Sequence, residues 1–484
     1  MRQISLRRII YRFVHAALIS ASLSNVANGD ETQTRMIFTG DILLSREVQR
    51  EITLQNGLSP WVSIKPFFKD ADWLMGNLEG SVGDSASCTD KGSKLCFAVQ
   101  AQSLNFLKVA GFTAMSVENN HSADLGTAGK SETRVSLNKI GLPAIDFEHS
   151  PGFVKLQQHV IAFISLSNVA GKSGTSVKIP SIELQQKIRL AKSLADWVVI
   201  NVHWGAELAD WPQPTQRAMA KWMVAQGADL IIGHHPHVVQ PPECILGRPV
   251  FFSLGNHVFD QKYPLTKKGL MAVCTIKSNQ LTCSGVETNT PQNSSYPELA
   301  LNESNPHQKI EECKVDPSTP IVVDGYTLHP RLDENQFSDD DVILEGKKPG
   351  ARGWSVAGKR LLALEKGHLT STQPGKDFLF TLENHFSSID QEASPRPYVY
   401  EISSHGLVAK WRGSALAWPL VDGKLIRSDA SDIDYLCALH RRDSFVMLNQ
   451  NNKETRTAVY QWNGFGFSGI DNPQLSALCG LAFN

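Results

Sequence analysis

Between Met36 and about Cys283 the chain alternates short apolar runs with amphipathic stretches. Runs of strand length are Met36–Phe38, Trp73–Met75, Thr113–Val117, Val160–Leu166, Trp197–Val202, Leu230–Ile232 and Val250–Leu254. Apolar positions at helical spacing fall between several of them, at Leu104–Ala110, Ser131–Ile140, Ile182–Leu194 and Thr215–Gln226. This alternation predicts an α/β domain around a central sheet. Several polar residues follow directly on strand ends, which is where open α/β sheets place their sites.

The pattern stops near residue 289. Asn289–Pro306 is rich in Asn, Ser, Pro and Glu and has no hydrophobic period, so 289–320 reads as a linker. From Ile321 onward helical periodicity is scarce, turns rich in Gly, Asp and Asn recur, and Trp354, Trp411, Trp418 and Trp462 are spread along the segment. A loose echo links Phe378–Phe380, Tyr398–Tyr400 and Gly406 with Phe445–Met447, Val459-Tyr460 and Gly464. Each unit reads as strand, turn, strand and Gly-rich turn. Propeller-like β units and one irregular β-sandwich both fit this echo. The expected organisation is a segment 1–29, an α/β domain over 30–288, a linker over 289–320 and an all-β domain over 321–484.

Residues 1–29 have their own texture. Arg2, Arg7, Arg8 and Arg12 precede a short apolar stretch, Phe13–Leu23, and Ala27-Asn28-Gly29 places small residues before Asp30. This is the pattern of a secretory signal peptide, with an uncleaved anchor as the alternative, and it predicts an exported, periplasmic or cell-surface protein. The eight cysteines agree, since an even count in an exported chain points to disulfides. Local spacing favours Cys88 with Cys96 and Cys274 with Cys283 and leaves the other four open. The formal net charge of −1 gives no electrostatic footprint for nucleic acid. No firm membrane span is expected beyond the N-terminal stretch.

Five segments carry the candidate chemistry. They are Gly40-Asp41, Asn77-Leu78-Glu79, Asn119-Asn120-His121 with Asp124 and Gly126, His203-Trp204-Gly205, and Gly233 to His237. Each follows an apolar run. Divalent metals of intermediate softness take imidazole nitrogens together with carboxylate or amide oxygens, and strand ends in a common sheet face a common rim. A lone Asp after a strand is more often a turn or cap residue, and a buried His is more often a satisfied core residue. The ordered set of five is far more specific than its parts and points to a metal site.

Together with Glu207, Val238 and Ser253-Leu254-Gly255-Asn256, these residues resemble the ordered motif series of the CapA/PgsA family of poly-γ-glutamate capsule proteins, over roughly residues 36–262. The resemblance implies the fold of the calcineurin-like metallophosphoesterases, a layered α/β/β/α sandwich, here followed by a mainly β C-terminal domain. It implies two divalent ions, Mn, Fe or Zn, held by Asp41, Glu79, Asn120, His203, His235 and His237, with Glu79 bridging and Asn77 the alternative bridge. By the same resemblance His121 is the general acid or phosphate contact, oriented by Asp124. Asn77, Asn119, Trp204, Glu207, His234 and Asn256 are then expected to support these ligands or to face substrate.

Three departures qualify the match, one being that the Asn77/Glu79 pair replaces the usual bridging aspartate. Metallophosphoesterases begin Asp-x-His, whereas Leu43 stands two residues after Asp41. The family pattern has Phe where this chain has His257, a residue open to a ligand role or, more simply, a surface or supporting one. The implied activity is metal-dependent hydrolysis of a phosphoester or of a γ-glutamyl polymer, in company with other capsule-synthesis proteins. The alternatives are a non-catalytic surface accessory protein and a carbohydrate- or polymer-binding protein that uses Trp411 and Trp418. Serine-nucleophile and nucleotide-driven chemistry have little support, since Gly-x-Ser-x-Gly and P-loop patterns are missing.

Overall fold

The structure is a computed structural model that describes residues 33–88, 95–171, 176–300, 308–309, 313, 320–331, 342–373, 375–387, 392–413, 416, 419–441 and 455–483. The N-terminal signal pattern and Trp418 lie outside these residues. Among the described residues, no helix is long and apolar enough to cross a membrane.

Two sheets form the centre of the first domain. One runs in the order Glu298–Leu299, Gln280–Asn289, Lys268–Lys277, Thr34–Ile42, Trp73–Leu78, Ala114–Ser116 and Ala144–Ile145, with Asn256–Val258 added beside Thr34–Ile42. The other runs Glu243–Ile245, Arg248–Phe251, Leu230–His234, Trp197–His203, His159–Ser167 and Gly152–Leu156. Side chains alternate across each strand and so build three apolar layers. Met36, Phe38, Trp73, Phe163, Val199 and Ile232 fill the space between the sheets. Ile37, Leu74 and Met115 face outward with Val48, Leu107 and Leu137 of the covering helices. Ile200, Val202 and Ile231 pack on the opposite outer side against Leu184, Ile188 and Met223 of two further helices. The result is the α/β/β/α sandwich expected from the resemblance.

Local signals set the helix limits. Ile182–Leu194 coincides with the stretch expected from periodicity and starts where the Ser181 side chain accepts the Leu184 N–H. Pro214–Gln226 opens on a reciprocal cap between Gln213 and Gln216, with proline in its first turn. Two glycines allow the strands to close on one another. A Cβ on Gly40 would meet the Gly255 carbonyl oxygen at 2.0 Å, and one on Gly233 would meet that of Phe252 at 2.0 Å.

The segment read as a linker is not free. Glu298–Leu299 and Gln308–Lys309 pair with the edge strand Gln280–Asn289. Tyr296 is buried and donates its hydroxyl to the Leu58 carbonyl at 3.1 Å. Cys313 is joined to Cys244. The expected pairs Cys88–Cys96 and Cys274–Cys283 are both present, and Cys437 joins Cys479.

Among the described residues, the C-terminal region contains three four-stranded antiparallel sheets in which the strands follow chain order. They span Val322–Lys359, Leu361–Arg412 and Leu420–Ile470. The region is mainly β. It is not purely β, because Pro473–Ala482 forms a closing helix held through Cys479. Trp354 and Trp462 are core residues, and Trp411 packs edge-on against Phe467 at 5.3 Å between ring centres. Trp354 and Trp462 thus serve packing, whereas Trp411 is only half-buried.

Candidate metal centre

The C-terminal ends of the parallel strands converge on one rim. Strand register sets Asp41 level with Asn77 on one side and Asn256 on the other, and His203 level with His234 in the second sheet. Glu79 and the Asn119–His121 turn lie just past the ends of their strands. His235 and His237 follow Leu230–His234 in a turn where both have positive φ, 99° and 59°. For non-glycine residues this conformation costs on the order of 1–3 kcal/mol each and persists only where the surroundings impose it.

Asp41, Glu79 and His237 form the heart of the cluster, with one ligand atom from each lying within 4.8 Å of the others. All three are buried. His237 Nδ1 lies 2.9 Å from Asn256 Oδ1 and 3.3 Å from Asp41 Oδ2. The Asn256 amide donates to Gln261 Oε1 and to the Thr266 carbonyl, so its oxygen must face His237. That places the proton on Nδ1 and points Nε2 toward Glu79 Oε1, 3.6 Å away. Among the described residues, neither carboxylate oxygen of Glu79 has a hydrogen-bond partner. An ionised carboxylate left this way is costly unless a cation is near.

The remaining candidates adjoin this heart. The Asn119 amide donates to Asn77 Oδ1 at 3.1 Å, and the Asn77 amide donates to Asp41 Oδ1 at 2.9 Å. Both asparagines therefore orient Asp41, and the Asn77 oxygen is already engaged. His203 Nε2 lies 2.9 Å from Asn120 Oδ1 and 3.1 Å from His235 Nδ1. His234 Nδ1 lies 3.2 Å from Asp41 Oδ1. Glu207, on an exposed loop, places a carboxylate oxygen within 4.8 Å of ring nitrogens of His235 and His237. His121 Nδ1 lies 2.8 Å from Asp124 Oδ2, which also accepts the Phe97 N–H, and the His121 ring stacks on Phe97 at 3.7 Å. Its Nε2 looks into the cluster, 3.9 Å from Glu79 Oε1.

Two expectations are corrected. Trp204 neither supports a ligand nor meets substrate; its indole lies in the outer core and donates to the Phe252 carbonyl at 2.8 Å. His257 is neither a ligand nor a surface residue. It is buried beside Trp61 and Phe68, one position out of phase with Asn256 and therefore on the other face of its strand. Leu43 belongs to the outer core as well, so no ligand comes from its position.

The electrostatics follow from burial and crowding. Burial pushes the Glu79 carboxyl up to about 7, against the pull of His237. Burial alone would lower His237, but Glu79 and Asp41 outweigh it and push the imidazole up to about 9. Asp41 is held well below the usual carboxylate range, because contacts from His234 and His237 overcome burial. Burial and the neighbouring His235 hold His203 well below its ordinary value, and burial with His237 holds His235 down at about 4. The site thus keeps His203 and His235 neutral, while His237 carries its charge between the carboxylates of Asp41 and Glu79.

The family model of the bacterial capsule synthesis protein PGA_cap matches residues 35–261. The PGA biosynthesis protein CapA of Bacillus subtilis is 32% identical over 258 residues, which cover 50% of this chain and 67% of that protein. The chain belongs to this family. The capsule biosynthesis protein CapA of Bacillus anthracis is 29% identical over 277 residues, covering 53% of this chain and 67% of the relative. A more distant relative is a probable polyglutamine synthesis accessory protein of Mycobacterium tuberculosis, 20% identical over 253 residues, covering 46% of this chain and 65% of the relative. The PGA_cap match covers the rim residues from Asp41 to Asn256 and stops before the three C-terminal sheets.

Proposed function

We propose that this chain is an exported, cell-surface protein of poly-γ-glutamate capsule assembly, and that its rim cluster is a metal-dependent hydrolase site for a phosphoester or a γ-glutamyl bond. The observation that carries the metal reading is Glu79. Its carboxylate is fully buried, has no hydrogen-bond partner at either oxygen among the described residues, and has ligand atoms of Asp41 and His237 within 4.8 Å. Such a donor set of carboxylate oxygens, an amide oxygen and imidazole nitrogens fits Mn, Fe or Zn. Asp41, Glu79, Asn120, His203, His235 and His237 would hold the ions. When bound, divalent ions supply Lewis-acid polarisation of the scissile group and a hydroxide nucleophile at neutral pH.

The chain's own residues divide the remaining work. Asn77 and Asn119 fix the Asp41 carboxylate. Asn256 fixes the His237 tautomer, leaving Nε2 as the ligand nitrogen. Asp124 holds one His121 proton on Nδ1, and Phe97 covers one ring face, so Nε2 is aimed at the cluster and, in the imidazolium form, would carry the second proton that passes to a leaving group.

Elemental analysis of the purified chain tests the reading, beside Glu79→Gln and a His235→Ala/His237→Ala double variant. Metal in the wild type and its loss in the variants is the expected result. No metal after reconstitution with manganese, iron or zinc removes the mechanism. Metal without turnover of phosphoesters or γ-glutamyl polymers leaves the non-catalytic accessory role.

A further inference from the structure

The Glu207 loop is built to a purpose that the reading above does not use. It leaves the strand end at His203, turns at Gly205 with φ +86°, and is sewn onto the histidine turn by two backbone hydrogen bonds. The Trp204 N–H donates to the His234 carbonyl at 3.1 Å, and the Leu208 N–H donates to the Pro236 carbonyl at 2.8 Å. Leu208 itself has φ 60°. Buried Gln240 fastens the far side of the loop by donating to the carbonyls of Ala209 and Trp211, at 2.8 and 3.1 Å. Glu207 lies between the two backbone ties. An exposed glutamate on a surface loop is ordinarily free to turn into water, yet this one is kept with a carboxylate oxygen near both His235 and His237.

We infer that Glu207 is a metal ligand: with His235 and His237 it forms a second cation position beside the one formed by Asp41 and Glu79. The inference rests on the metal reading of the rim. Its independent support is buried Glu79 in the neighbouring position, whose carboxylate oxygens have no hydrogen-bond partner among the described residues. Charge counting agrees. Three carboxylates around one cavity, Asp41, Glu79 and Glu207, offset most of the charge of two divalent ions and leave a small positive excess. That excess suits an anionic ligand such as a phosphoester or a glutamate carboxylate. The loop ties also make this second position depend on surface backbone, whereas the first is set by strands. The two positions should therefore differ in affinity.

Manganese titration of the chelator-stripped full chain tests this, read by calorimetry and by loss of the free-ion paramagnetic resonance signal. The wild type should take up two equivalents. Glu207→Gln should keep one of them tight and weaken the other by roughly a hundredfold, at the upper end of what losing a supporting group costs. Glu207→Asp should recover part of the loss, and the metal-free variants should melt with the wild type because Glu207 is exposed. Two equivalents of unchanged affinity in Glu207→Gln would overturn the Glu207 assignment and leave the metal reading standing. No binding by the wild type would overturn both.

Discussion

His121 and Asp124 form a fixed pair on the edge of the cluster: Nδ1 of the imidazole sits 2.8 Å from Oδ2 of the carboxylate, three residues on in the same turn. The carboxylate can only accept, so the imidazole proton stays on Nδ1 and Nε2 faces inward. If His121 protonates a leaving group, His121→Gln should lower kcat by about a hundredfold to ten-thousandfold. The loss should be largest for substrates with poor leaving groups and small for a nitrophenyl ester. Metal content should not change, because neither residue is assigned to an ion. Equal losses across leaving groups would remove the acid role and leave His121 a binding contact.

Metal and protons should compete in the same cavity. Without metal, the folded His237 binds its proton up to about pH 9, against an ordinary value of 6.5, and Glu79 holds its proton up to about 7, against 4.5. Both groups bind protons more tightly folded than unfolded. Their contribution is complete below the unfolded values and is lost as pH rises through the folded ones. From pH 6.5 to 8 the metal-free chain should therefore lose stability, by roughly 2 kcal/mol from His237 alone at about 1.4 kcal/mol per unit. Above this window Lys424, lowered to about 8 by burial, begins to act in the opposite direction. Metal takes the place of those protons, so the melting increment on adding manganese should grow with pH. Calorimetric scans with and without chelator check this. A metal-free melting temperature that rises from pH 6.5 to 8 would contradict the assignment of His237.

The sandwich was legible because its signals are local. Ile182–Leu194 emerged with its observed limits from spacing alone. Arg46–Leu54 escaped notice because only Val48 and Ile52 of its nine residues are buried. The rim was legible because every ligand candidate lies at or just past the end of a strand, and order along the chain became proximity at the sheet ends. Which face a residue takes was not legible. Trp204 and His257 are sequence neighbours of rim residues, yet both lie in apolar cores, His257 through the alternation of its strand and Trp204 just past the end of Trp197–His203. The pairs Cys244–Cys313 and Cys437–Cys479, 69 and 42 residues apart, needed the folded chain. So did the contact of the first C-terminal sheet with the helix Ile182–Leu194, where Tyr326, Leu328 and Leu344 join a core begun by Leu184 and Ile188.

That shared core is braced by Arg189. Its guanidinium lies 3.1 Å from Asp422 Oδ2 and 3.2 Å from Glu365 Oε1, and donates to the Gly423 carbonyl at 3.0 Å. Asp422 is fully buried and also accepts the Gln186 amide at 3.0 Å. Arg189→Met leaves a buried charge without its partner and should cost about 3–5 kcal/mol. Removing everything after residue 320 should expose the apolar face of the Ile182–Leu194 helix and give an aggregating chain. Chemical unfolding of the variant and light scattering of the truncation are the measurements. A monomeric truncation with unchanged stability would show that the C-terminal sheets are not part of the same core.

His257 makes the last expectation quantitative. Its ring is buried between Trp61 and Phe68, its Nε2 has no partner among the described residues, and burial lowers it to about 3. The unfolded chain takes up a proton there at about 6.5 and the folded chain does not, so the wild type loses stability as pH falls from 6.5 toward 3. His257→Phe removes both the orphaned nitrogen, about 1–3 kcal/mol, and the proton linkage. The variant should therefore exceed the wild type in stability at pH 7.5 and exceed it further at pH 5, by about 1.4 kcal/mol per unit below 6.5. Urea unfolding of metal-free wild type and variant at the two pH values measures the difference. If the gap is the same at both, the imidazole is either protonated or partnered in the fold, and its placement in an apolar pocket is wrong.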